Sequence, residues 1–206
     1  MTRLSNTFDF KHAAHLGPDR SELDGVTLLR AQRGDEAACR RLVLYYQQGV
    51  LALIGRMLDP ARRRTFVEDV AQETFLRVFR NLRRFSPEGP APLSSWILTI
   101  AAHLAIDELR RRRPEQVTVD APNALELPGG VLSDQGRQRR EIAEAIQEAL
   151  ADLPPEFRAA FLLREYHGLP YKEIASSLRV DLGTVKSRLS RAKAILRATL
   201  AGLRDN

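Results

Sequence analysis

Tyr171-Lys172-Glu173-Ile174-Ala175-Ser176-Ser177-Leu178-Arg179-Val180-Asp181-Leu182-Gly183-Thr184-Val185-Lys186-Ser187-Arg188-Leu189-Ser190-Arg191 reads as two amphipathic runs around a short turn. Ile174, Ala175 and Leu178 give the first run an inner face, Arg179-Val180-Asp181 interrupts it, and Val180 can plug the turn. In the second run, from about Gly183 to Leu200, Val185, Leu189, Ala192 and Leu196 follow helical spacing and must face a core. The layout is a helix-turn-helix.

With the inner stripe placed, about 100° per residue puts Thr184, Ser187, Ser190, Arg191 and Ala194 on the opposite face, with Lys186 and Arg188 on its flanks. Between Gly183 and Arg197 stand Lys186, Arg188, Arg191, Lys193 and Arg197, and no acidic residue. Such a helix suits a DNA major groove, where arginine grips guanine and serine or threonine meets base edges or phosphates. Basic helices also occur as plain solvated surface, because lysine and arginine are good helix formers. The short helix and three-residue turn in front of this one favour the groove reading.

Working outward, the 206-residue chain carries a net charge of +6 with 44% hydrophobic residues, enough for one medium core or two small ones and suited to an anionic partner. The single cysteine, Cys39, excludes an internal disulfide and a cysteine metal cage; it falls where the helical pattern wants an apolar residue and reads as core. Residues 1–20 contain no uninterrupted apolar stretch, so neither a signal peptide nor membrane insertion is expected, and the compartment reads as cytoplasmic. His12 and His15 have the spacing of a helical metal pair, but no carboxylate or cysteine cluster accompanies them. No phosphate-cradling loop or nucleophile elbow is present, so neither a cofactor nor catalysis by the chain is expected.

The organisation is all-α. Residues 1–22 read as a flexible extension, 23–113 as a first helical domain, 114–136 as a flexible Pro- and Gly-bearing linker, and 137–206 as a second domain containing the helix-turn-helix. In the first domain, two helices meet at Gly34, and Asp35 can cap the second. A third helix is expected at about Thr65–Arg84, with Val67, Val70, Ala71, Thr74, Val78 and Leu82 on one stripe. Pro87, Pro90 and Pro92 enforce a loop. A fourth helix, at about Ser94–Arg113, ends in four arginines. In the second domain a short helix stops at Pro154-Pro155, a further helix spans Phe157 to Tyr166, and Gly168 can end it in a left-handed conformation.

At this point the chain resembles a family. Leu28 to Ala38, Glu68 to Arg80 (Glu68-Asp69-Val70-Ala71-Gln72-Glu73-Thr74-Phe75-Leu76-Arg77-Val78-Phe79-Arg80), Ser95-Trp96-Ile97-Leu98-Thr99-Ile100-Ala101, Ala105 to Arg111, Leu153-Pro154-Pro155-Glu156-Phe157-Arg158 and Gly183 to Arg188 are similar to the two domains of the extracytoplasmic-function group of the sigma-70 family. The resemblance implies an alternative sigma factor, a transcription initiation factor that carries core RNA polymerase to promoter DNA. It further implies docking on the beta-prime clamp through Asp69, Gln72, Glu73 and Arg77, a contact with the beta flap, and an anti-sigma factor as regulator. Minus-thirty-five recognition would fall to Thr184, Lys186, Ser187, Arg188, Ser190 and Arg191. Minus-ten recognition and melting would fall to Trp96, His103, Arg110, Arg111, Arg112 and Arg113. His103 departs from the family's usual asparagine; imidazole offers its donor and acceptor in a different shape, which leaves the identity of any flipped base open. A lone tryptophan at Trp96's spacing also suits a core. The rival class is a helix-turn-helix repressor or activator that works without joining polymerase. A pure protein-interaction module would not need the acid-free face of residues 183–197.

Overall fold

The computed structural model describes residues 22–58, 64–111 and 145–202, and among these the ordered elements are all helices. The extension up to Ser21, the linker at 114–136, His12, His15, Arg112 and Arg113 lie outside the described residues.

Helix α1 (Gly25–Gln32) starts where Asp24 accepts from the Thr27 amide at 2.8 Å and from its hydroxyl at 2.7 Å. Gly34, at φ 85°, turns the chain into α2 (Glu36–Met57), whose first amides meet the Asp35 carboxylate as the sequence led one to expect. Leu42, Val50, Leu53, Ile54 and Met57 of α2 are buried against α3 (Arg64–Leu82) and α4 (Leu93–Arg111). On α3, Val70, Ala71, Thr74, Val78 and Leu82 are buried and Val67 is partly so, which reproduces the expected stripe. The end of α3 is satisfied from a distance: the Gln32 side chain donates to the carbonyls of Leu82 and Phe85 at 2.9 and 2.8 Å. The start of α4 is held likewise, because Glu22 accepts from the Ser94 amide and hydroxyl while Tyr46 donates to the same carboxylate at 3.2 Å.

The second domain opens with a helical stretch at residues 145–151, followed by α5 (Pro155–Phe161). Pro155 does more than stop the preceding helix. It occupies the first turn of α5, where its missing amide costs nothing. The helix expected from Phe157 to Tyr166 is divided, with Leu162–Tyr166 wound as a π-helical turn that buries Leu162 and Leu163. Gly168 at φ 67° then reverses the chain into α6 (Tyr171–Leu178) and α7 (Leu182–Gly202).

The two domains touch. The end of α2 and one side of α4 pack on α5, the π turn and α6. Arg158, 4% exposed, donates to the carbonyls of Met57 at 2.5 Å, Leu153 at 3.2 Å and Ala151, so one guanidinium ties the end of α2 to the start of the second domain. Nearby, Arg56 lies 3.9 Å over the Tyr166 ring. A buried cation needs such a ring of acceptors, because an unpaired one is driven out by desolvation.

Candidate nucleic-acid interface

The turn between α6 and α7 is closed by three local devices. Arg179 adopts a left-handed conformation at φ 53°, Val180 donates to the Ala175 carbonyl at 3.0 Å, and Val180's side chain packs against the core. Asp181 then starts α7 by accepting from the Thr184 amide at 2.7 Å and the Thr184 hydroxyl at 2.5 Å. These two hydrogen bonds, the hydroxyl's first, hold the Asp181 carboxyl below its ordinary range.

Val185, Leu189, Ala192 and Leu196 are buried, while Lys186, Ser187, Ser190, Arg191 and Ala194 are exposed, so the face derived from periodicity is the face that meets solvent. Thr184 and Arg188 are half-buried at its margins. Three side chains behave differently from the simple expectation. Thr184's hydroxyl proton is given to Asp181, and Ser187 donates back to the Thr184 carbonyl at 3.0 Å. Lys193 belongs to the flank turned toward the π turn, paired with Glu165 at 2.8 Å, and contributes nothing to the outward charge. Lys186 and Arg191 form no ion pair with any described residue, which leaves their charge for an external anion.

On α4, Trp96, His103 and Arg110 recur at seven-residue intervals and share one stripe. Trp96 is half-buried and lies against Phe85, ring centroids 5.1 Å apart, which makes it neither a free platform nor fully core. Burial lowers the His103 pKa, Arg179 and Arg110 push it the same way, and Asp107 opposes them, so the neutral imidazole is favoured. Arg110 forks onto Glu156 of α5 at 2.6 and 3.0 Å, and Arg111 pairs with Glu108 at 3.1 Å. Burial pushes the Glu156 carboxyl up, but the Arg110 hydrogen bond, its own backbone and the charges of Arg110 and Arg188 together hold it below the usual range.

The third surface is the outer side of α3. Asp69, Gln72 and Arg77 are exposed and Glu73 is half-exposed; Arg77 meets Glu73 at 2.9 Å, and the four form a single stripe. Leu76 sits in the middle of it with half of its surface exposed. Sequence reasoning passed over Leu76 as one more apolar residue on an amphipathic helix. The available signal was its phase, between Glu73 and Arg77 and off the Val70-Thr74-Val78 stripe.

Family models for sigma-70 region 2 and sigma-70 region 4 match residues 42–115 and 143–196. The chain is 35% identical to the RNA polymerase sigma-H factor of Pseudomonas aeruginosa, over 88% of this chain and 96% of that protein. The chain belongs to the extracytoplasmic-function group of the sigma-70 family. It is likewise 34% identical to the ECF RNA polymerase sigma-E factor of Escherichia coli K12, over 82% of this chain and 90% of that one. Among solved structures, CnrH in complex with the cytosolic domain of CnrY superposes with a TM-score of 0.61 at 25% identity, covering 86% of this chain and 96% of that one. Sigma factor RpoE from Bartonella quintana, solved with the anti-sigma factor NepR, shares the fold at a TM-score of 0.59.

This sigma factor therefore binds core RNA polymerase and promoter DNA and directs transcription initiation. A regulator that acts without polymerase is not favoured, since such a protein has no need of the region 2 match. The region 4 match contains the helix-turn-helix, and the region 2 match contains the α3 and α4 stripes. No helix among the described residues is long and apolar enough to cross a membrane.

Proposed function

We propose that the sigma factor divides its work among three helix faces. Helix α7 reads the minus-thirty-five element with Lys186, Ser187, Ser190 and Arg191, helped at the margins by Arg188. Thr184 contributes by starting the helix, because its hydroxyl is engaged by Asp181. Helix α4 serves the minus-ten element with Trp96 and His103, and the cations from Arg110 to Arg113 meet phosphates once Arg110 leaves Glu156. The α3 stripe of Asp69, Gln72, Glu73, Leu76 and Arg77 docks on the beta-prime clamp, and the second domain contacts the beta flap. Residues 23–113 and 137–206 act as the two domains, with 114–136 as the tether that lets each find its own promoter element. The protein works in the cytoplasm without catalysing a reaction, and an anti-sigma factor of the kind that accompanies the Bartonella relative regulates it.

The observation that carries this reading is the outward face of α7, where Lys186 and Arg191 stand exposed without an ion-pair partner among the described residues. The test is transcription by purified core polymerase, with and without the protein, from DNA upstream of its own gene. Initiation should require the protein. Lys186→Ala with Arg191→Ala should abolish it while leaving the helical signal and binding to core unchanged. Undiminished initiation by that double variant would remove α7 as the reading helix.

A further inference from the structure

Leu162–Tyr166 continues α5 as a single π turn, closed where the His167 amide donates to the Leu162 carbonyl, five residues back, at 3.0 Å. Such turns interrupt helices rarely and recur at functional sites. An α-helix would carry Glu165 about 300° round the axis from Leu162. The wider π winding stops short of that, and there the Glu165 carboxylate meets the Lys193 ammonium of α7 at 2.8 Å, with 18% and 30% of the two side chains exposed. Partly buried pairs of this kind are screened little by salt.

Along α7, Lys186, Lys193 and Arg197 fall on one side, at intervals of seven and four residues. Lys186 and Arg197 are exposed and have no ion-pair partner among the described residues, whereas Lys193 is neutralised. A recognition helix enters the groove by its N-terminal residues. Two turns further on, the side that carries Lys186 runs along the phosphate wall of the groove, and Lys193 stands there. To reach a phosphate it would leave the Glu165 carboxylate largely buried, unpaired and close to a polyanion, which desolvation and repulsion both oppose.

On the α7 reading proposed above, we infer that Glu165, aimed by the π turn, is a positioning residue that holds Lys193 off the DNA. It thereby sets how many phosphates α7 contacts, and with that the strength and salt dependence of minus-thirty-five binding. Phosphate contacts add affinity to every sequence alike, whereas base contacts discriminate. With Lys193 withheld, α7 leans less on sequence-independent charge.

The experiment measures binding of the holoenzyme, core polymerase with the full-length variant, to duplex DNA from upstream of the protein's own gene as salt is varied. Each neutralised phosphate adds about 0.9 to the slope of log affinity against log salt. Glu165→Gln, which removes the charge and keeps the shape, should therefore bind tighter than wild type, with an advantage that shrinks about 3.5-fold between about 50 and about 200 mM salt. It should rank mutated minus-thirty-five sequences as wild type does. Glu165→Ala, which leaves Lys193 no acceptor, should repeat the steeper slope. Lys193→Met should match wild type, and Glu165→Gln with Lys193→Met should return to it, because the gain needs the lysine. Weaker promoter binding by Glu165→Gln or Lys193→Met, with the helical signal intact, would make the pair a strut for α7 and overturn the mask. An unchanged slope in both Glu165 variants, or a gain that persists in the double variant, would overturn it equally. The α7 reading fails separately: if Lys186→Ala with Arg191→Ala leaves the slope as in wild type, α7 is not on the DNA, whatever Glu165 does. A slope flattened by that pair but not steepened by Glu165→Gln keeps α7 on the DNA and removes only the role of Glu165.

Discussion

Replacing Leu76 by alanine isolates the docking face of α3 from the fold beneath it. Half of the leucine surface is already in water, so its loss takes from the domain only the packing of the other half, which the unfolding control measures separately. Full burial of a leucine side chain contributes about 1.5–3 kcal/mol, so covering the remaining half on docking contributes about 0.8–1.5 kcal/mol. At about 1.4 kcal/mol per decade, Leu76→Ala should weaken binding to core polymerase about four- to twelvefold. Leu76→Glu should weaken it further, because docking would then desolvate a carboxylate. The neighbouring Glu73–Arg77 pair is an exposed i,i+4 contact contributing only tenths of a kcal/mol to the helix, so charge alone does not shape this surface. The assay is competition of each variant against labelled wild type for core polymerase, with thermal unfolding run alongside. Affinity within about twofold of wild type for both variants, with melting unchanged, would show that this part of α3 does not contact core and would refute the argument.

Arg158→Met should destabilise the protein by about 3–5 kcal/mol, since it leaves the carbonyls of Met57, Ala151 and Leu153 buried without their donor; a urea unfolding midpoint close to wild type would contradict this. Because the folded state lowers the His103 pKa, the unfolded chain takes up the proton first as pH falls below about 6.5, and stability should decline from there downward. Unfolding at pH 7.5 and 5.5 should show that slope reduced in His103→Asn, and an unchanged slope would assign it to other groups. Thr184→Val should loosen the start of α7 while leaving the ranking of mutated minus-thirty-five sequences as it was, because the hydroxyl serves Asp181; a reordered ranking in promoter-variant transcription would make Thr184 a base reader.

Much of this molecule is legible in its sequence because the relevant physics is local. The spacing of Val185, Leu189, Ala192 and Leu196 orients α7 without reference to anything outside it, and the exposed face of Lys186, Ser187, Ser190 and Arg191 follows. Asp35, Gly34 and Gly168 act on residues a few positions away, and they were readable as a cap, a turn and a left-handed helix end respectively. The fate of charged and small residues was decided elsewhere. Arg158 looks like surface until the ends of two other segments supply carbonyls around it. Lys193 looks like part of the basic face until Glu165 arrives from the π turn. Ser95, buried, and Thr99, partly buried, carry too little apolar character to announce their side of α4, and only the bonds from α6 show that it is covered. Sequence by itself determined the helices, their caps and the direction of the reading face, since these depend on neighbours within about one turn. Tertiary structure alone decided which cations are free and which sides of α4 are covered, because a charge or a hydroxyl takes its state from partners tens of residues away.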